Sequence, residues 1–267
     1  MRTRRIFRAI LGRRKADEKS ELSTSNIHEA VLRALEAAGA AGLSGRHLDI
    51  GSGSGELLRL ARERYSFEGV ACDYTDQLME LPGQKVDLVD LDRDKLPFLD
   101  SQFALVTCAE TIEHLENYRA LLREAFRVLR PGGILVLSTP NILNLRSRFR
   151  YFSSGFYNLF GPLKLDQSQR AFARGHITPV NWFYLGHALL MTGFREVRVT
   201  TDKYQRRSFP AYALLVGPIL LSNAIVYRRD RQKYRTVDEQ NAWLVRLMNS
   251  RDLLLGRSLI VSAIKPS

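Results

Sequence analysis

Residues 47–57 read HLDIGSGSGEL, an apolar run ending on three glycines, Gly51, Gly53 and Gly55, separated by Ser52 and Ser54. Glycines placed this way let a strand turn sharply into a helix while its backbone closes on a ligand, the usual way a nucleotide is held at a strand end. Two common nucleotide loops do not fit. A dinucleotide fingerprint needs G-x-G-x-x-G, but the third glycine comes one residue early and Glu56 stands in its place. A triphosphate loop needs Lys and then Ser or Thr after its last glycine, and here Glu56 and Leu57 follow Gly55.

Outward from this loop, apolar strand-like runs alternate with amphipathic helical ones. RHLDI, FEGVACD, KVDLVD, QFALVTC, GILVLSTP, REVRVTT and RSLIVSAIK read as seven strands. Helices are expected over 26–41 (opened by Asn26 and Glu29 as a capping box), 54–65, 116–129 and 179–194. Pro131, Gly132 and Gly133 are expected to stop the third of these, and Gly193 the last. Runs this apolar, separated by helices, predict an α/β fold with a sheet covered on both faces. Four segments follow: a basic arm and linker over 1–24, a core over 25–201, a helical insertion over 202–256, and a final core strand over 257–267.

The 267 residues carry 40 Lys and Arg against 28 acids, a net charge of +12. Such an excess favours an anionic partner, such as a membrane surface, an anionic substrate or nucleic acid, though it also serves plain solubility. Only two cysteines, Cys72 and Cys108, are present, so no disulfide framework is implied and a reducing, cytoplasmic setting is expected. MRTRRIFRAILGRRK at the start lacks the apolar centre of a secretion signal. As a helix it would align Ile6, Phe7, Ile10 and Leu11 among arginines, a pattern that suits an anionic membrane surface as well as a basic tail.

Asp73 ends the second strand, 20 residues after Gly53. A carboxylate there accepts hydrogen bonds from both ribose hydroxyls, in NAD as in any nucleoside cofactor. DIGSGSG together with DLDRDKLPFLDSQFALVTCAETIEHLENYRALLREAFRVLRPGGILVLSTPN resembles the class I S-adenosylmethionine-dependent methyltransferases, of the type 11 or type 23 kind, over residues 46–200 and again at the final strand. The resemblance implies a Rossmann-like seven-stranded sheet with its last strand antiparallel, and S-adenosylmethionine as cofactor. It places Asp49, Gly51, Ser52, Gly53 and Gly55 along the cofactor, with Asp73 on its ribose. It sets Asp92, then Asp90, with Leu91 between them, against adenine, and Glu110 at the methionine end. Ala104 departs from the family, which usually has Asp there, at a position expected to precede the fourth strand.

Methyl transfer displaces a sulfonium, a good leaving group, so positioning the nucleophile supplies much of the rate. A hydroxyl still needs a base or a metal to lose its proton. Glu110, Glu113 and His114 are spaced i, i+3 and i+4, one face of a helical turn, and His176 comes from a later loop. The set resembles the Glu-x-x-Glu-His plus distal His of small-RNA terminal-ribose methyltransferases, and in part that of ubiquinone-pathway O-methyltransferases, both of which use a divalent ion. A general base at His114 or His176 is ranked ahead of a metal at Glu110, Glu113, His114 and His176, because the metal needs four residues from two segments to converge. Convergence of His176 on the others would invert that order.

CAET stands where amino-methylating DNA enzymes carry Asn/Asp-Pro-Pro-aromatic, and no nucleic-acid module is visible, so nucleic acid is disfavoured. From Phe209 to Tyr227 the insertion has no charge, close to a membrane-spanning length. Pro218 is expected to break it into two short helices, packed on the domain as a lid or dipped into a membrane interface, with YRRDRQKYR suited to lipid headgroups. The expected activity is O-methylation of a small molecule, glycan or lipid-linked acceptor, by a cytoplasmic enzyme peripheral on the inner membrane face. The alternatives are a nicotinamide-dependent oxidoreductase and a non-catalytic cofactor-binding scaffold.

Overall fold

A computed structural model of the protein describes residues 25–163 and 175–267. The basic arm expected to meet a membrane lies outside the described residues. The strands are β1 (Gly45–Ile50), β2 (Phe67–Asp73), β3 (Val86–Leu88), β4 (Phe103–Ala109), β5 (Leu129–Pro140), β6 (Arg195–Thr201) and β7 (Ser258–Ile264). They form one sheet in the order β3-β2-β1-β4-β5-β7-β6. β1 pairs parallel with both β2 and β4, so the strand order reverses there, and β7 runs antiparallel between β5 and β6. β5 and β6 therefore point the same way, and the ends of β1, β2, β4, β5 and β6 share one edge of the sheet.

Helices α1 (Ser25–Ala37) and α2 (Glu56–Arg64) cover one face. Ile27, Val31, Leu35, Leu57 and Ala61, at helical spacing, pack on Leu105, Ile134, Val136 and Ile260. Helices α3 (Tyr118–Val128) and α5 (Trp182–Thr192) cover the other, over Leu48, Val106, Leu135 and Leu137. Adjacent residues of β5 thus bury into opposite layers, which is why the run carries no alternation of polarity. Helix α4 (Leu145–Ser154) follows β5. Trp182 at the start of α5 is fully buried, and its indole N–H donates to the Leu244 carbonyl at 3.2 Å.

The expected helix stop at Pro131 comes early. α3 ends before Leu129, and Pro131 to Gly133 belong to the first turn of β5. Gly132, at φ 74°, and Gly133 exchange backbone hydrogen bonds of 2.9 Å with Lys265, so the segment is already paired with the end of β7. α1 likewise stops at Ala37, short of Ala41, where Gly39 turns at φ 92°. Ala104 lies inside β4 and is buried, where a carboxylate would have no water.

The insertion differs most from expectation. One unbroken helix, α6 (Phe209–Arg229), runs through Pro218 and ends in a π-turn at Asp230–Tyr234. Proline deletes one ladder bond at a cost of about 3 kcal/mol, which turns on both sides can absorb. The preceding Gly217 has open space around it. None of the residues of α6 is buried. Short helices α7 (Ala242–Leu247) and α8 (Arg251–Leu255) lead back to β7.

Candidate active site

The glycine loop sits at the carboxyl end of β1, where the strand order reverses, the usual ligand crevice of such sheets. Gly51, Gly53 and Gly55 all adopt positive φ, at 70°, 49° and 79°. A Cβ on Gly51 would overlap the Thr111 side chain. Gly51 and Ser52 donate their N–H groups to the Cys72 carbonyl at 2.9 and 3.2 Å, and Gly53 N–H donates to Asp73 Oδ2 at 2.9 Å. Asp73 Oδ1 accepts from Tyr74 N–H at 2.7 Å. These bonds lock loop and carboxylate together. Burial raises the Asp73 pKa, against the pull of these N–H groups. Among the described residues the buried Ser52 hydroxyl has no hydrogen-bond partner.

Asp49 is almost wholly buried, and its Oδ1 accepts from Thr107 Oγ1 at 2.6 Å. Thr107 in turn meets His47 Nε2 at 2.7 Å. Burial pushes Asp49 up to about 7 and His47 down to about 3. This chain of three links β1 to β4 and escaped the sequence reading, because its members meet only across strands. Asp92 Oδ1 accepts from the N–H groups of Glu116 and Asn117 at 2.8 and 3.3 Å, so it supports the entry to α3. Leu91 packs on the core, and Asp90 Oδ1 accepts from Asp92 N–H at 3.1 Å.

The segment after β4 does not form the expected helical face. Only Ile112–His114 make a 3₁₀ turn, and Glu110 precedes it with φ 49°. Glu110 Oε1 accepts from Ser138 Oγ at 2.9 Å, and its oxygens are not among the ligand atoms gathered with Glu113 and His114. Glu113 is fully buried, and among the described residues neither carboxylate oxygen has a hydrogen-bond partner. Burial first, and the neighbouring Glu110 second, hold its pKa well above the carboxylate range.

His176 does reach this turn. The Glu113 carbonyl accepts from Ile177 and Thr178 N–H, both at 3.0 Å, and Thr178 Oγ1 donates to the Leu115 carbonyl at 2.5 Å. The His114 and His176 rings lie 4.9 Å apart, and Phe160 packs on His176 at 5.2 Å. Burial, then the neighbouring His114, pushes His176 down to about 4. Ligand atoms of Glu113, His114 and His176 lie within 4.8 Å of one another. Three of the four expected residues converge, and Glu110 does not.

A family model described as a methyltransferase domain matches residues 21–199. The chain belongs to this family of S-adenosylmethionine-dependent methyltransferases. The methyltransferase is 28% identical over 181 residues to the ubiquinone/menaquinone biosynthesis C-methyltransferase UbiE of Desulfotalea psychrophila, covering 64% of this chain and 73% of that one. UbiE of Pseudomonas savastanoi is 30% identical over 179 residues, with coverage of 61% and 69%. Among solved structures, an S-adenosylmethionine-dependent methyltransferase from Archaeoglobus fulgidus superposes with a TM-score of 0.53 at 19% identity, over 89% of this chain and 94% of that one. Phosphoethanolamine N-methyltransferase 2 of Haemonchus contortus, in complex with S-adenosyl-L-methionine, gives 0.51 at 19% identity, over 90% and 53%. These two show the shared fold. S-adenosylmethionine is the methyltransferase's cofactor, and the oxidoreductase and scaffold alternatives fall.

Proposed function

We propose that this methyltransferase transfers the methyl group of S-adenosylmethionine to a hydroxyl of a small molecule, a glycan or a lipid-linked acceptor, at the cluster of Glu113, His114 and His176. The observation that carries this reading is the pair of imidazoles gathered beside a buried, unbonded carboxylate, on the same sheet edge as the glycine loop. The cofactor's ribose would meet Asp73, its amino-acid part the loop from Gly51 to Gly55 with Ser52, Asp49 and Glu110, and its adenine the turn of Asp90, Leu91 and Asp92. In the transfer, the acceptor oxygen forms the new bond to the methyl carbon as the bond to sulfur breaks, and sulfur keeps the electron pair. The hydroxyl proton must leave to a base.

We place a metal ahead of the base because His176 meets Glu113 and His114, three ligands of the expected four. A buried carboxylate without a hydrogen bond calls for a proton or a cation, and two histidines with one carboxylate leave coordination positions open for an acceptor. Glu113, His114 and His176 would hold a divalent ion, which when bound lowers the pKa of an acceptor hydroxyl. His176 as a general base is the second reading, favoured by a pKa low enough to keep it neutral at physiological pH. A chelator separates the two. Turnover should vanish with EDTA and return with Mg or Mn in the first case, and persist unchanged in the second.

The names of the UbiE relatives support a different acceptor atom, a ring carbon of a quinone precursor. Carbon-13 NMR of the product made with methyl-labelled cofactor distinguishes O-methyl from C-methyl, and a C-methyl signal would sink the hydroxyl assignment. The ribose assignment has its own check. Asp73→Ala should weaken S-adenosylhomocysteine binding by about 10- to 150-fold, the worth of a charge-assisted hydrogen bond of about 1.5–3 kcal/mol, read by calorimetry. A cytoplasmic enzyme peripheral on the inner membrane face accounts for both the net charge of +12 and the exposed apolar helix α6.

A further inference from the structure

We infer that α6 and α4 form a two-part docking surface for an anionic lipid leaflet, with α6 lying flat in the interface and the acceptor mouth turned toward the bilayer, so that the acceptor is an amphiphile taken from the leaflet. The inference rests on the peripheral attachment proposed above and gives it a geometry.

α6 has 21 residues, a length of roughly 31 Å. It has no charge from Phe209 to Tyr227, and Leu214, Leu220, Leu221 and Ile225 are exposed. A monomer in water rarely leaves so much contiguous apolar surface uncovered. The ends of the helix say what covers it. Between Lys203 and Arg235 the sequence places eight Lys or Arg against one acid, Asp230. Anionic headgroups complement that flanking charge, whereas a second copy would bring the same basic clusters together.

The helix meets the length and composition of a membrane span, but its attachments forbid spanning. Its start is held to the body by the Gln205 N–H to Leu255 carbonyl bond of 2.8 Å and by Arg251, 4.9 Å from the Tyr204 ring. Beyond Tyr234, only residues 235–241 precede α7, whose Leu244 is fully buried against Gly186 of α5. Seven extended residues reach roughly 24 Å, short of the roughly 30 Å hydrocarbon core. They would also carry Asp238 and Glu239 through it with unpaired backbone. Both ends of α6 must stay on one side, so the helix lies in the plane.

α4 supplies the second part. Phe149, Tyr151 and Phe152 are exposed there, 88% in the case of Phe152, beside the exposed Arg146. Aromatic and arginine side chains together suit the headgroup boundary. α4 follows β5 and the insertion follows β6, and these parallel strands end at the edge where the glycine loop opens. Two separate apolar elements thus follow strands that end at the same sheet edge as the glycine loop.

The test uses the full chain and vesicles of phosphatidylcholine with phosphatidylglycerol. The wild type should co-sediment with them, less so as salt rises. Leu214→Glu with Leu221→Glu should lower partitioning by about 100-fold or more, from the lost burial of two leucines. Phe149→Ser with Phe152→Ser should lower it by about tenfold or more on the same basis. Unchanged sedimentation of the leucine variant overturns the proposal. So does a wild-type dimer that this variant splits, which would make α6 a subunit interface, or resistance to alkaline carbonate extraction, which would make it a span. A fluorophore on Ser222→Cys gives a reading independent of the glutamate variants, since quenching by lipid at interfacial depth is expected and no quenching counts against docking. S-adenosylhomocysteine binding without vesicles should survive in every variant. Its absence in the wild type would sink the methyltransferase site while leaving docking to stand on sedimentation.

Discussion

Replacing His176 with glutamine lowers turnover by about 10²- to 10⁴-fold, the usual worth of a positioned proton-transfer group, while S-adenosylhomocysteine affinity stays within a few-fold. The same loss is expected if His176 serves as a metal ligand, because either role needs the neutral imidazole. The pH profile carries the sign. An ordinary histidine, near 6.5, would cut activity below pH 6.5, but burial and His114 have moved His176 down to about 4. On the general-base reading the required form therefore persists to about pH 4, and turnover should hold level from pH 8 to pH 5 before falling about tenfold per unit below 4. A limb at 6.5 in the wild type would assign the essential proton to another group. Thermal melting of the variant guards against the lesser outcome, a loss of folded protein through the lost contact with Phe160.

Gly51→Ala is expected to remove measurable S-adenosylhomocysteine binding. Left-handed backbone at φ 70° costs a residue with a Cβ about 1–2 kcal/mol. The new Cβ also meets Thr111, whose hydroxyl donates to the Ala109 carbonyl at 3.1 Å. Overpacking of that kind adds about 1–3 kcal/mol, so the loop must shift and carry Ser52 and Gly53 away from Asp73. Together the terms predict a fall in affinity of about 30-fold or more. Adding Thr111→Gly should recover part of it, since the overlap goes but the backbone strain stays. Full recovery would show that strain contributes nothing, and no initial loss would remove the loop from the cofactor site.

Local chemistry made the fold legible. FEGVACD and REVRVTT coincide with β2 and β6, the second because Val197, Val199 and Thr201 alternate with polar residues at strand period. The loop and Asp73 were legible together because the turn, helix α2 and strand β2 fix their separation. The site beyond them was not. Reading Glu110, Glu113 and His114 as one helical face assumed a full turn, whereas the chain makes three residues of 3₁₀ after a positive φ. Asp92 Oδ1 also accepts from backbone N–H groups 24 and 25 residues away, a structural role that its position in the sequence does not encode. His176 meets His114 through the hydrogen bonds of Ile177 and Thr178 to the Glu113 carbonyl, a contact that no spacing encodes. Pro218 shows the reverse error, a local rule applied where the surrounding helix overrides it.

The junction of the insertion has a consequence for how such an enzyme diversifies. Thr201 Oγ1 donates to the Ser258 carbonyl at 2.9 Å, and Pro140 of β5 lies opposite Ser258 on the other side. The chain between leaves and rejoins the sheet through a single gate, but on its way back Leu244 and Leu253 to Leu255 are fully buried in the core. Doubling the length of a loop closed at such a gate costs only about 0.6 kcal/mol. Helix α6, none of whose residues is buried, is therefore the exchangeable part. It can lengthen or shorten without re-registering β6 on β7, while the returning helices α7 and α8 keep their places.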